Sequence, residues 1–462
     1  MRGLVDPKDA LFWLGTTDAM PTDQYFVFAF DAPVPEHAPS WDEVCAHIKT
    51  RSAAIPAFNK RLVESPSGVD YPVWVREEMS VEDCVTRLGA PDATWESCTG
   101  AIAEMLESTV DATVTPWQLH VAERVRGVPY ATGTCTVVLV RFSHVLTDGL
   151  GGAALLRALF GRSPRPADVD VAADASTVTP HGIAFWLRAC GQAGAKLIRL
   201  LPALVSVTGA GRRAAGLVAR GDVVAPTPHP RLSVNRCAES DRRVAVIPVP
   251  ENFTGSSEYT VTQLALTAVS LATEKLLRGR GENADSLTAM MPVAFGPDAD
   301  WRGANRFATG MVSMGGGADD LAARAQTVRS SITAERRRLA IPDIVKQFRL
   351  VETVPWPILR RVLRRRQQAD SGEVAANLVF TSVNCGDGDM ELLGSPAVMV
   401  AGFPCLSETL GIGVGLYGIG SALTLGVLTA PNAVSADDGY VEMLESALHD
   451  VAGMVAPSRP GR

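Results

Sequence analysis

Three residues carry the chemistry this chain advertises: His144, Asp148 and Gly149, spaced as His-x-x-x-Asp-Gly. They follow the apolar run Val137-Val138-Leu139-Val140, which reads as a buried strand. They precede Ala153-Ala154-Leu155-Leu156-Arg157-Ala158-Leu159-Phe160, which reads as a helix. An imidazole is thus expected just past the end of a strand, where a histidine acts as a general base near neutral pH. Asp148 has three readings: general acid, metal ligand or structural anchor. His144 and Asp148 at this spacing offer two metal ligands, and no third is evident nearby, so no metal is expected. Gly149 permits close backbone approach or a positive φ at the turn.

The elements that must position this motif read as mixed α/β. Gln24 to Phe30 and Tyr130 to Phe142 are strand-like. Ser40 to Thr50 begins with a capping serine and acidic residues, as helices do, and Thr94 to Ser108 reads as a second helix. A second half offers strands at Arg242 to Val249, Thr288 to Val293 and Thr309 to Ser313, with helices at Thr260 to Leu277 and Ala318 to Ala340. We expect two lobes: residues 1–178 carrying the motif, a connection over 179–227, and residues 228–462. Within the connection, His181 to Gly221 has no Asp or Glu but carries Arg188, Lys196, Arg199, Arg212, Arg213 and Arg220 among large apolar residues. Such a helix suits an anionic membrane or lipid-droplet surface. It equally suits a crossing between lobes with its apolar side on protein. Leu359 to Arg366 reads as a basic turn that would meet phosphates or headgroups, or simply end a solvated helix.

Composition narrows the class. The chain has 462 residues, 47% hydrophobic and 20% charged, which is globular. A net charge of -7 argues against nucleic acid as the main partner. No run is expected to reach the roughly 20 apolar residues of a membrane span, and the N-terminus does not read as a signal peptide. None of the eight cysteines forms a C-x-x-C pair, so reduced thiols in a cytoplasm are expected. Gly413 to Gly418 spells G-x-G-x-x-G, but strand-like sequence follows where a pyrophosphate site needs a helix N-terminus.

The His-x-x-x-Asp-Gly motif resembles the HHxxxDG motif of the bacterial wax ester synthase/diacylglycerol acyltransferase family. Ser143 stands where that family has its first histidine. Four further segments are similar to the family in the same order. Asp6-Pro7-Lys8-Asp9-Ala10-Leu11-Phe12 resembles its opening S-P-x-D-A-x-F, and Thr115-Pro116-Trp117-Gln118-Leu119-His120-Val121 its R-P-L-W segment. Met291-Pro292-Val293 with Gly303-Ala304-Asn305-Arg306-Phe307 resembles its V-P-V-S … G-N pair, and Leu416-Tyr417-Gly418 its S-Y-x-G strand. Two segments depart from the pattern. The family's T-N-V-P-G-P turn is Thr381-Ser382-Val383-Asn384-Cys385-Gly386 here, and its T-V-N-D helix start is Thr260-Val261-Thr262-Gln263.

The resemblance implies an α/β, two-lobed CoA-dependent acyltransferase-like fold, shared with chloramphenicol acetyltransferase and condensation domains, with the site in an interlobe channel. It implies an O-acyltransferase moving a fatty acyl group from acyl-CoA to a long-chain alcohol or diacylglycerol, with His144 as general base. Asp148 would turn away from the substrate to pair with an arginine, Arg141 or Arg306, and Gly149 or Asn305 would donate to the oxyanion. Ser143, Trp117 and Asn305 would contact substrate. No bound cofactor or metal is implied; acyl-CoA is a substrate. The expected place is cytoplasmic, peripheral to the inner face of the cell membrane. Two alternatives stand beside this: a non-catalytic lipid-binding member, and an acyltransferase or condensation enzyme acting on a specialised-metabolite alcohol or amine.

Overall fold

The computed structural model describes residues 3–17, 20–34, 36, 38–65, 68–163, 165–169, 171, 174–177, 182–236, 241–256, 258–296, 301–366 and 372–455, and within these not the side chains of 166, 184 and 364–366. Two mixed sheets organise it. The first runs, edge to edge, Glu391–Leu392, Ser395–Phe403, Gln24–Ala32, Thr134–Phe142, Trp117–Val125 and Val85–Arg87. The second runs Phe307–Ser313, Thr288–Ala294, Leu378–Asn384, Ile412–Ile419, Ala422–Thr429 and Arg243–Pro248.

The strand leading to His144, Thr134–Phe142, lies inside the first sheet, antiparallel to both neighbours. Its alternation feeds two cores. Val138, Val140 and Phe142 join the core under helix Gly149–Phe160, while Val137 and Leu139 face the core against helix Trp95–Met105. Burial on both faces explains why this segment reads as unbroken apolar sequence. Helix boundaries follow their caps. Ser40 and Glu43 form a capping box before Trp41–Ala53, and Thr260 and Gln263 form one before Val261–Gly279.

One strand corrects the expected division. Ser395–Phe403 comes from the C-terminal half but pairs with Gln24–Ala32 in the first sheet. The sheets therefore do not separate at 228, and the expected boundary at 178/179 lies outside the described residues. The crossing is a close backbone approach. A Cβ on Gly426 would sit 2.2 Å from the Gly402 carbonyl oxygen, and one on Gly415 2.7 Å from it. Only glycine lets the second sheet come this near strand Ser395–Phe403.

The connection is one 38-residue helix, Gly182–Ala219, with Pro202 inside it. His181 lies outside the described residues. Contrary to the expectation that nothing here is long enough, Phe185–Ala219 is long and apolar enough to cross a bilayer by length and composition alone. It lies along the protein surface. Arg213 grips Asp343 with two bonds of 2.8 and 2.6 Å, and Lys196 donates to the Glu352 carbonyl at 2.8 Å. Small residues face protein, with Ala189, Ala210 and Ala214 buried. Large ones face outward: Ile183, Ile198, Leu201 and Val205 are 78, 77, 70 and 69% exposed. The side of this helix that packs on protein is thus its small-residue side, and its large apolar residues face outward. The basic segment near 359 belongs to helix Trp356–Arg366, with Trp356 and Leu359 buried and Arg361 exposed. Its last three arginine side chains lie outside the described residues.

Residues 413–418 sit within the buried strand Ile412–Ile419, which pairs on both sides, so their glycines serve packing. The seven described cysteines are free, and Cys237 lies outside the described residues.

Candidate active site

The strand carrying His144 ends because the chain turns. Ser143 N–H donates to the Pro116 carbonyl at 2.9 Å, and Leu146 N–H closes back onto the Ser143 carbonyl at 2.8 Å. Four residues after the imidazole, Asp148 caps helix Gly149–Phe160, its Oδ1 accepting Gly151 N–H at 2.8 Å. Its Oδ2 accepts the backbone N–H of Arg306, from the other lobe, at 2.8 Å. This corrects the expected ion pair. Among the described residues Asp148 makes none: Arg306 contributes its backbone, and Arg141 pairs instead with Asp23 at 3.4 Å. The physical reason is that two well-placed N–H groups satisfy a buried carboxylate without a cation. Each oxygen thus accepts one backbone N–H. The anchor reading of Asp148 is the one its geometry supports.

The loop that Asp148 holds is held again by Asp9. Its carboxylate accepts Ala304 N–H at 2.9 Å, Asn305 N–H at 3.0 Å and Asn305 Nδ2 at 2.9 Å. Burial pushes Asp9 up to about 6 despite these donors. Asn305 Nδ2 also donates to the His144 carbonyl at 2.8 Å. Asn305 therefore holds the His144 backbone and does not line the cavity beside it. Trp117 is a core residue, its Nε1 on the Phe58 carbonyl at 3.0 Å, and Ser143 is buried behind the turn. Neither lines the cavity, which corrects both as substrate contacts. Gly149 does line it. Its φ is not positive; a Cβ there would come within 3.3 Å of Val383, so its role is close approach.

The imidazole is sandwiched. Phe12 stacks on it with centroids 3.9 Å apart and planes 5° off parallel, and Phe307 tilts against it at 6.0 Å. Gln24 Nε2 lies 2.9 Å from Nε2 of the ring. An amide donor there suits a ring whose Nε2 is unprotonated and accepts it. Burial pushes His144 down to about 4, opposed by its own carbonyl, by Asp148 and by Asn305. At neutral pH the ring is uncharged and can accept a proton. Asp9 and Phe12 lay in a motif visible in the sequence, whereas Gln24 carried no sequence signal beyond starting a strand.

Together these residues face a cavity of about 250 Å³ between the lobes. Gln24, Tyr25 and Phe403 come from the first sheet, and Met290, Phe307, Val379 and Tyr417 from the second. The two departures from the family pattern meet at its rim, where Thr262 Oγ1 and Ser382 Oγ lie 3.0 Å apart. A larger, mainly apolar cavity of about 730 Å³ lies between helix Gly182–Ala219 and strand Thr288–Ala294, and Ala294 lines both.

Residues 5–250 match the wax ester synthase/diacylglycerol acyltransferase catalytic domain, and residues 303–452 match the C-terminal domain of the same proteins. The chain belongs to the wax ester synthase/diacylglycerol acyltransferase family. A 133-residue stretch is 26% identical to a Mycobacterium tuberculosis protein described as a "putative diacylglycerol O-acyltransferase". That stretch covers 28% of this chain and 27% of the relative's length. The fold is similar to the wax ester synthase/diacylglycerol acyltransferase from Marinobacter aquaeolei, with a TM-score of 0.63 and 16% identity over 98% of this chain and 100% of that one. It is also similar to the first condensation domain of the calcium-dependent antibiotic synthetase, with a TM-score of 0.58 and 11% identity over 99% and 97% of the two chains. A third similar fold is the trichothecene 15-O-acetyltransferase from Fusarium sporotrichioides, with a TM-score of 0.56 and 12% identity over 97% and 94%. The two-lobed α/β fold of CoA-dependent acyltransferases is therefore that of this family member.

Replacing Asp148 with Asn keeps one acceptor oxygen and turns an NH2 toward a backbone donor. The expected loss is about 1–3 kcal/mol in chemical denaturation, below the ~3–5 kcal/mol of a broken buried ion pair. An unchanged stability with abolished chemistry would make Asp148 a direct participant.

Burial holds His144 down at about 4, below the ordinary histidine value of 6.5, so the unfolded chain takes up the proton first. Its contribution to stability is complete above pH ~6.5 and is lost as pH falls toward 4. Between pH 7 and 5 the wild type should lose about 2 kcal/mol more than His144→Gln, measured by urea unfolding. Parallel pH profiles would place the ring in solvent.

Proposed function

We propose that this protein transfers a fatty acyl group from acyl-CoA to a long-chain alcohol or diacylglycerol, with His144 as general base. The observation that carries the reading is a neutral imidazole, stacked on Phe12, facing a mainly apolar cavity between two lobes. Nε2 takes the hydroxyl proton as the oxygen attacks the thioester carbonyl. The oxyanion of the tetrahedral intermediate needs donors, and the N–H of Gly149, first residue of its helix and on the cavity wall, is the candidate. As the intermediate collapses, the C–S bond breaks and the imidazolium returns its proton to the CoA thiolate. No group besides the two substrates is required by this scheme. The larger cavity next door, sharing Ala294, supports a long-chain substrate.

The outward face of helix Gly182–Ala219 supports a peripheral membrane position. Its large apolar residues are flanked by exposed Arg188, Arg199 and Arg212.

Purified protein should release CoA thiol from palmitoyl-CoA with 1-hexadecanol or dipalmitoylglycerol. His144→Ala should lose roughly 10²–10⁴-fold in rate while keeping its melting temperature within a few degrees. Undiminished turnover in that variant overturns the mechanism, and release with amines alone would make the enzyme condensation-like.

On vesicles rich in anionic lipid the wild type should float, with each basic residue near the surface contributing about 1 kcal/mol at low salt. A variant with Arg188, Arg199 and Arg212 as Gln and Ile198 and Leu201 as Ser should remain at the bottom of the gradient. Lys196 and Arg213 are left intact because both are bound to protein. Equal flotation of the two proteins would assign the helix to interlobe packing alone.

A further inference from the structure

The lone pair that the reaction needs is already in use. Gln24 pairs directly with Phe142 across adjacent antiparallel strands, and His144 follows Phe142 by two residues. Strand register thus brings the Gln24 side chain to the imidazole, on an element that the sheet holds rigid. Gln24 Nε2 lies 2.9 Å from the ring Nε2 and 3.3 Å from Nδ1. Its Oε1 lies 3.7 Å from where a Cβ on Gly149 would stand, so the amide reaches from the imidazole toward the start of helix Gly149–Phe160. Half-buried, it lines the cavity between the lobes. For its proton to be taken, an acceptor hydroxyl must donate to Nε2, and a neutral imidazole offers one acceptor nitrogen. The amide must therefore release Nε2 when the acceptor is seated. Its freed N–H then lies beside the attacking oxygen, and the oxyanion develops on the carbon which that oxygen joins. A donor held there, in a mainly apolar cavity, gains most from that developing charge.

We propose that Gln24 is a catalytic residue: its amide N–H holds Nε2 until the acceptor hydroxyl takes that place, and then donates, with the Gly149 N–H, to the oxyanion. The inference rests on the acyl-transfer reading above and adds a side-chain donor to it. The amide itself transfers no proton. The hydroxyl proton goes to Nε2 as the new C–O bond forms, and the carbonyl electron pair moves onto the oxygen that Gln24 and Gly149 receive. When that pair returns, the C–S bond breaks and the amide goes back to Nε2. A donor engaged this way acts on the transition state and competes with the acceptor in the ground state, so its loss lowers kcat without raising KM.

Two variants of the full chain test this. Gln24→Met keeps the length of the side chain and removes the donor. Gln24→Glu keeps its shape and puts an acceptor where the donor was. In thiol release from palmitoyl-CoA with 1-hexadecanol, each should lose roughly 10²–10³-fold in kcat, the loss expected for one oxyanion donor. KM for the alcohol should stay level or fall in Gln24→Met, because the competitor for Nε2 is gone. Its melting temperature should stay within a few degrees of the wild type. A second measurement reads the contact without turnover: the ring-nitrogen resonance of His144 Nε2 in protein carrying nitrogen-15 histidine, assigned by its disappearance in His144→Gln. That resonance should move in Gln24→Met. Wild-type kcat in both variants, a loss confined to KM, or an unmoved Nε2 resonance overturns the role of Gln24 and leaves acyl transfer standing. A wild type that releases no thiol with any alcohol overturns acyl transfer itself, and the donor role with it.

Discussion

Two buried carboxylates and one carbonyl of the first lobe hold a single short loop of the second. Asp9, Asp148 and the carbonyl of His144 together receive the N–H groups of Ala304, Asn305 and Arg306 and the amide of Asn305. Every other feature of the site depends on this clamp. It joins the two lobes at His144, and three of its donors are backbone N–H groups, whose positions are fixed by the chain rather than by rotamers. Gly303 allows the loop its φ of +100°, and a Cβ there would press within 3.0 Å of Asp9 Oδ2. Any motion that parts the lobes breaks hydrogen bonds to buried carboxylates, which are expensive to leave unpaired.

The clamp also sets the electrostatics of the base. Enclosure between Phe12 and Phe307 strips water from the imidazole and outweighs the nearby charge of Asp148, so the ring rests neutral. Each Asp148 oxygen accepts a backbone N–H. The carboxylate thus shapes the turn that carries the imidazole.

A second consequence follows for lipid access. Helix Gly182–Ala219 walls the larger cavity with Ala203 and Val207 and turns Ile198, Leu201 and Val205 outward. One helix therefore borders both a greasy outer surface and an apolar chamber adjoining the reaction cavity.

The sequence by itself determined the local elements and the place of His144 at the turn between them. Val137 to Val140 specified a strand buried on both faces, Ser40 and Thr260 specified helix starts through their caps, and the His144–Asp148–Gly149 spacing specified a turn between strand and helix. These depend on neighbours within a few residues, so periodicity and capping chemistry reveal them. Tertiary structure alone decided the partners. That Asp148 meets the Arg306 backbone, that Arg141 belongs to Asp23, and that Trp117 packs in a core rather than on substrate follow from contacts between distant segments. The insertion of Ser395–Phe403 into the first sheet was equally invisible, since an apolar strand pairs as well with one sheet as another. The glycine contact of Gly402 with Gly415 and Gly426 allows the second sheet to approach it there, a three-dimensional fit that no spacing along the chain encodes.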